Sequence, residues 1–172
     1  AYINSFISEI MSSKDLSQNE MWSQSRKHCR GLWLNCNNRK QIISSLFDAI
    51  YYDSININGV IVVYCFFVEE GMYWFEEYLK SKGVKPFKGD ETQNEDSDYY
   101  FNFARPYSKS CLAKAIDICK NHDNKDGRKI KWILGTKKIG IGITISNTAR
   151  VCSIGGEWNN YNQDQFFGRC IN

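Results

Sequence analysis

The sequence is poor in proline and has no apolar segment long enough to cross a membrane. Only two prolines occur among its 172 residues, and its longest apolar run is Val60–Val68. A membrane-spanning helix needs about 20 apolar residues, so this run is too short. Hydrophobic residues make up 42% of the chain and aromatic residues 15%, which excludes a disordered protein. We therefore expect one globular domain over residues 1–172.

Paired cysteine motifs are also absent, although the chain contains seven cysteines. Structural zinc sites usually take their ligands from closely spaced pairs, and no Cys-x-x-Cys occurs here. Scattered cysteines at this density are typical of disulfide-bonded extracellular domains. The odd count leaves one sulfur either as a buried thiol, for which Cys65 is the best candidate, or bonded to a second chain. The disulfide candidates are Cys29, Cys36, Cys111, Cys119, Cys152 and Cys170, and no metal or cofactor is predicted.

An N-terminal segment, residues 1–24, is predicted to form a helix and a polar arm that lead into a core over residues 25–172. Tyr2, Phe6 and Ile10 recur at helical spacing, which indicates one apolar helix face. The chain begins with Ala1 and has no signal-type segment, as expected of a mature protein whose signal has been removed. We therefore predict a secreted, extracellular protein.

The clearest local pattern is a pair of β-rich runs, Tyr51–Ile57 and Val60–Val68, on either side of Asn58-Gly59. This dipeptide is typical of a tight turn and predicts a β-hairpin. The second run is apolar on both faces, which indicates the middle of a sheet.

Ile139–Ser146 alternates with a period of two and predicts a half-buried strand. With the helical segments, these patterns predict a single α+β domain: an antiparallel-rich sheet covered by about four helices and stabilised by disulfides.

The two histidines, His28 and His122, suggest a catalytic pair. A metal-free RNA-cleaving enzyme needs a general base, a general acid and cations that hold the phosphate. Cations around His28 favour its neutral form, whereas Asp123 and a helix C-terminus favour the protonated form of His122. Surface histidines and a solvated basic turn are the simpler alternative. The residues predicted to hold an RNA backbone are Lys125, Arg128, Lys129, Lys131, Trp132, Lys137 and Lys138.

From Ser108 onward the chain carries Cys111-Leu112, Ile116, Trp132 and the strand Ile139-Gly140-Ile141-Gly142-Ile143. This order, over residues 108–172, resembles the Hce2/KP4-type domains of secreted fungal effectors and killer toxins. The resemblance implies a secreted, disulfide-bonded α/β sandwich that injures competing or host cells. It transfers no catalytic residues.

These observations predict a secreted cytotoxin or effector-like protein that acts by binding a target-cell component or a partner subunit. The alternative is a small metal-free ribonuclease that cleaves RNA by hydrolysis or transesterification. A structural or assembly protein is a third reading, because the net charge of +3 combines an acidic stretch between Glu69 and Asp98 with a basic remainder. The predicted partners are a target-cell component, a partner subunit, RNA, or another copy of the chain through self-assembly or an intermolecular disulfide.

Overall fold

The computed structural model describes residues 32–36, 39–89, 98–136, 143–155, 160–168 and 170. The predicted N-terminal helix and arm, residues 1–24, lie outside this range. Two strands, β1 (Leu32–Cys36) and β2 (Arg39–Ile43), form an antiparallel pair. The larger sheet has five strands: β3 (Val60–Cys65), β4 (Lys85–Pro86), β5 (Tyr99–Asn102), β6 (Trp132–Gly135) and β7 (Thr148–Ile154).

All neighbouring strands of the five-stranded sheet run parallel, in the order β4-β5-β6-β3-β7. β3 pairs with β6 on one side and with β7 on the other, so the central position predicted for the apolar run is confirmed. Every residue of β3 is buried, as expected of a parallel strand covered by helices on both faces.

Four α-helices lie in the described part of the chain: α1 (Ser45–Tyr52), α2 (Trp74–Ser81), α3 (Lys109–Lys120) and α4 (Asn160–Gly168). Ser44 caps α1 by accepting the N–H of Phe47, and Ser108 caps α3 by accepting the N–H of Cys111. A π-helical turn, Val68–Tyr73, leads into α2. None of these helices is long and apolar enough to cross a bilayer.

The helices cover the sheet in two layers. α1 and α2 pack on one face, against alternate strand residues such as Ile61, Val63 and Trp132. α3 and α4 pack on the other face, against Val62 and Tyr64. The connection from β3 to β4 carries α2, whereas the connection from β5 to β6 runs in the opposite direction across the sheet and carries α3. Right-handed crossovers in opposite directions place their helices on opposite faces.

The predicted antiparallel-rich α+β fold is wrong, because the sheet that carries the core is entirely parallel and the architecture is α/β. The predicted hairpin fails because residues 45–52 form α1, so only its second run becomes a strand. Gly59 does have a positive φ, +123°, but it serves the turn that enters β3. The overlooked signal is the alternation of apolar strands with amphipathic helices along the chain.

The predicted disulfide stabilisation is also wrong. The five cysteines whose side chains are described, Cys65, Cys111, Cys119, Cys152 and Cys170, are all thiols. The sheet separates several of them, because Cys65 and Cys152 pack on the face of α1 and α2, and Cys119 and Cys170 on the opposite face. Burial, and to a smaller extent the neighbouring Cys170, raises the pKa of Cys119 to about 12. Cys36 lies in β1, and Cys29 lies outside the described residues. The extracellular location stays a prediction, without support from disulfide bonds among these five cysteines.

Candidate ligand-binding groove

A groove of about 620 Å³ opens at the carboxyl ends of β4 and β5, between α2 and the start of α3. Ligands of parallel α/β sheets bind at this edge of the sheet, where the connections leave the strands. We call this end of the sheet, where the carboxyl ends of the parallel strands lie, the carboxyl edge. Pro86 and Asn102 end β4 and β5, and the residues that follow each strand, Lys88 and Arg105 among them, line the groove.

The charged side chains that line the groove are three cations, Lys80, Lys88 and Arg105, and one carboxylate, Glu76. Lys80 forms ion pairs with Glu77 at 2.6 Å and with Glu76 at 3.9 Å. Lys88 is exposed, and no acidic side chain in the described part of the chain pairs with it. Counting Glu77, the partner of Lys80, the described charges at the groove are three positive and two negative, a small positive excess that favours an anionic ligand.

Glu76 is a buried carboxylate at the base of the groove, with 6% of its side chain exposed. One of its oxygens accepts the hydroxyl of Tyr100 at 3.0 Å. The other accepts the amide of Asn102 at 3.0 Å and the Nε–H of Arg105 at 2.8 Å. Burial, together with the Glu76 carboxylate, raises the pKa of Tyr100 above its usual value of 10. These contacts compensate the buried charge, which would otherwise be strongly unfavourable.

Arg105 is the cation whose geometry is best defined. Its guanidinium carbon lies 3.5 Å from the centre of the Tyr73 ring, so it stacks on that ring while its Nε–H bonds to Glu76. The two terminal amino groups have no hydrogen-bond partner among the residues that the structure describes. A guanidinium presented in this way can bind two oxygens of a phosphate or carboxylate.

Most of the basic residues predicted to hold RNA lie at the opposite end of the sheet, which we call the amino edge, in the loop that precedes β6. Two of them form hydrogen bonds or ion pairs within the protein. Lys131 donates from Nζ to the carbonyl oxygens of Ile55, at 2.9 Å, and Ile57, at 3.1 Å. Arg128 pairs with Asp126 at 2.7 Å. Lys125 and Lys129 are exposed in the same loop.

Trp132 has no exposed surface and packs parallel to the ring of Tyr51 at 5.8 Å. In this fold it is a core residue of β6. His122 is exposed in a short 3₁₀ turn after α3, with Nδ1 3.1 Å from Oδ1 of Asn147. His28, Lys137 and Lys138 lie outside the described residues.

Sequence reasoning missed Glu76, Lys80, Lys88 and Arg105. Glu76 and the two lysines fall within the stretch between Glu69 and Asp98, of which the sequence analysis used only the acidic charge. One signal was present: an arginine follows the aromatic strand Tyr99–Asn102 after two intervening residues, at the end where α/β sheets bind ligands. It could be used only once the strands were known to be parallel.

No protein-family model matches the chain, and no curated protein matches it. Among solved structures, the chain is similar to the C-terminal part of the Fun30 ATPase domain, with a TM-score of 0.46 and 15% sequence identity over 72% of this chain. The chain spans 33% of that structure's length. A similarity at this level carries no argument about function.

Proposed function

We propose that this domain binds single-stranded nucleic acid through its phosphate backbone, along the carboxyl edge of the sheet. The observation that carries the proposal is the groove itself, whose three cations outnumber the two carboxylates, Glu76 and Glu77, that pair with them. Proteins that bind single strands without sequence preference combine such a positive groove with aromatic side chains on which bases stack.

An exposed aromatic ring at the same edge supports the proposal. Phe66 follows the carboxyl end of β3 and is 39% exposed. Its ring contacts that of Phe67 edge to face. β3 lies two strands from β5 in the sheet, which is about 10 Å at the usual strand spacing. A strand whose phosphates lie in the groove could therefore stack a base on Phe66.

The direct test is fluorescence polarisation with labelled oligo(U) and oligo(dT) as a function of salt concentration. The logarithm of the binding constant is expected to fall linearly with the logarithm of the salt concentration, with a slope of about −0.7 for each phosphate contact. Lys88→Gln is expected to weaken binding about two- to fivefold, the value of one exposed ion pair, and to reduce the slope by about 0.7.

Lys120→Gln is the matched control, because Lys120 is an exposed lysine at the far end of α3 and does not line the groove. It is expected to bind as the wild type does. The proposal is wrong if the wild-type chain binds neither oligonucleotide at low salt, or if Lys120→Gln weakens binding as much as Lys88→Gln.

The other roles that the sequence suggested stay predictions with tests of their own. A metal-free ribonuclease requires RNA cleavage that is lost in both His28→Ala and His122→Ala, whereas a binding domain leaves the RNA intact. An assembly role predicts a protein-dependent increase in molecular mass by light scattering. A cytotoxin or effector role, and an extracellular location, have no support in the geometry of the groove.

A further inference from the structure

The groove contains a carboxylate, whose negative charge is unfavourable in a site that binds an anion. Glu76 lies in the lining beside Lys80 and Arg105, and its negative charge opposes the binding of phosphate. A carboxylate in this position must make a contribution that outweighs its repulsion of the phosphate. Its contacts indicate what it contributes, because two of its three described hydrogen-bond donors, Tyr100 and Arg105, line the groove.

Glu76 holds Arg105 from one side, and Tyr73 holds it from another. The hydrogen bond at 2.8 Å uses only Nε of the guanidinium, and the stacking contact at 3.5 Å uses its flat face. The two terminal amino groups are then the part of the side chain that is left to reach a ligand. We call these two amino groups the Arg105 fork. Because the side chain is already fixed, the fork loses little rotamer freedom when it binds two oxygens.

The residues around Arg105 are themselves fixed by further hydrogen bonds. Asn102 donates its amide to Glu76 and accepts the backbone N–H of Ala104, at 3.0 Å in each case. The Tyr73 hydroxyl donates to the carbonyl oxygen of Ala104 at 3.3 Å. The loop that carries Arg105 is thus tied both to the carboxylate and to the stacking ring.

We infer that Glu76 is a positioning residue, which fixes the Arg105 fork so that the groove selects paired phosphate oxygens rather than negative charge in general. The inference rests on the proposed function, since it concerns the same groove. For the proposed nucleic-acid ligand, the paired oxygens are the two non-bridging oxygens on one phosphorus of the phosphodiester backbone.

The test compares Glu76→Gln with Glu77→Gln in the oligonucleotide titration. Both variants remove one negative charge from neighbouring positions of α2, but Glu77 is 41% exposed and pairs with Lys80. If charge alone decided affinity, both variants would bind more tightly. Positioning predicts that Glu76→Gln weakens binding by about fivefold, the value of one hydrogen bond of ordinary strength, while Glu77→Gln binds as the wild type or more tightly.

A second pair of variants keeps the test decisive if Glu76→Gln does not fold, as judged by circular dichroism. Arg105→Lys keeps the charge and removes the fork, and it is expected to weaken binding about fivefold. Arg128→Lys at the amino edge is its control, because it makes the same change outside the groove, and it should leave the affinity unchanged. Equal tightening by both glutamate variants, or full affinity of Arg105→Lys, would overturn the inference. A wild-type chain that binds no oligonucleotide overturns the proposed function itself, and this inference with it.

Discussion

The two edges of the parallel sheet use their cations differently. At the amino edge, Lys131 is bound to two backbone carbonyls and Arg128 to Asp126. At the carboxyl edge, Lys88 has no acidic partner among the described residues, and the Arg105 fork is held by Glu76 with its terminal amino groups unengaged there. A basic residue is therefore no evidence of a ligand until its contacts are known. The edge with the denser basic sequence uses two of its cations, Lys131 and Arg128, in contacts within the protein.

The largest effect on stability is expected from Asn124→Ala at the amino edge. Asn124 is buried, donates to the carbonyl oxygen of Ile130 and accepts the N–H groups of Lys129 and Ile130. The substitution leaves these backbone groups unsatisfied and should lower the free energy of unfolding by about 3 kcal/mol. Urea denaturation measures the loss. Oligonucleotide affinity below the unfolding transition should be unchanged, and a weakened affinity would break the distinction between the edges.

Lys131→Met and Lys88→Met make the comparison directly, because the same substitution is placed at each edge. Lys131→Met removes two hydrogen bonds from a charged donor and should lower the free energy of unfolding by about 2 kcal/mol without affecting binding. Lys88→Met should change stability by less than about 0.5 kcal/mol and should weaken binding. Denaturation and polarisation on both variants check the pair. The opposite pattern would assign ligand binding to the amino edge.

Tyr100→Phe tests the carboxyl edge through pH. At neutral pH it removes the hydrogen bond to Glu76 and should lower the free energy of unfolding by about 1.5 kcal/mol. Burial and Glu76 raise the pKa of Tyr100 in the folded chain, so its hydroxyl ionises first in the unfolded chain. The stabilisation is therefore full below about pH 10 and is lost as the pH rises further. Denaturation at pH 8 and pH 10.5 should show wild type and Tyr100→Phe converging. The gap between wild type and Asn124→Ala should stay constant.

The smallest effect is expected from His122→Ala. The ring is exposed and contacts Asn147, so its removal should lower the free energy of unfolding by about 0.5 kcal/mol or less. Oligonucleotide affinity should be unaffected, because His122 lies at the amino edge. Intact RNA after incubation with the wild type and with this variant would agree with binding alone. RNA cleavage that disappears in His122→Ala would instead support the ribonuclease alternative.

Several elements could be predicted from the sequence because their signals are local. The Ser108 cap and the helix that follows it, the strand at Tyr99–Asn102, and the buried central strand at Val60–Cys65 all carry recognisable patterns of residues. Strand direction carries no such pattern. Asn58-Gly59 has the composition of a hairpin turn, and its use as the entry to β3 depends on α1 packing over the sheet.

The sequence by itself determined where apolar strands and helix caps lie, because backbone geometry and side-chain periodicity act over a few residues. Only the tertiary structure decided that the strands run parallel, that the described cysteines lie on different faces as thiols, and that Glu76 meets Arg105. These three features depend on contacts between distant residues, whose geometry is set by the packing of helices on both faces of one sheet. The groove belongs to the second group, since its walls come from α2, α3 and the ends of two strands.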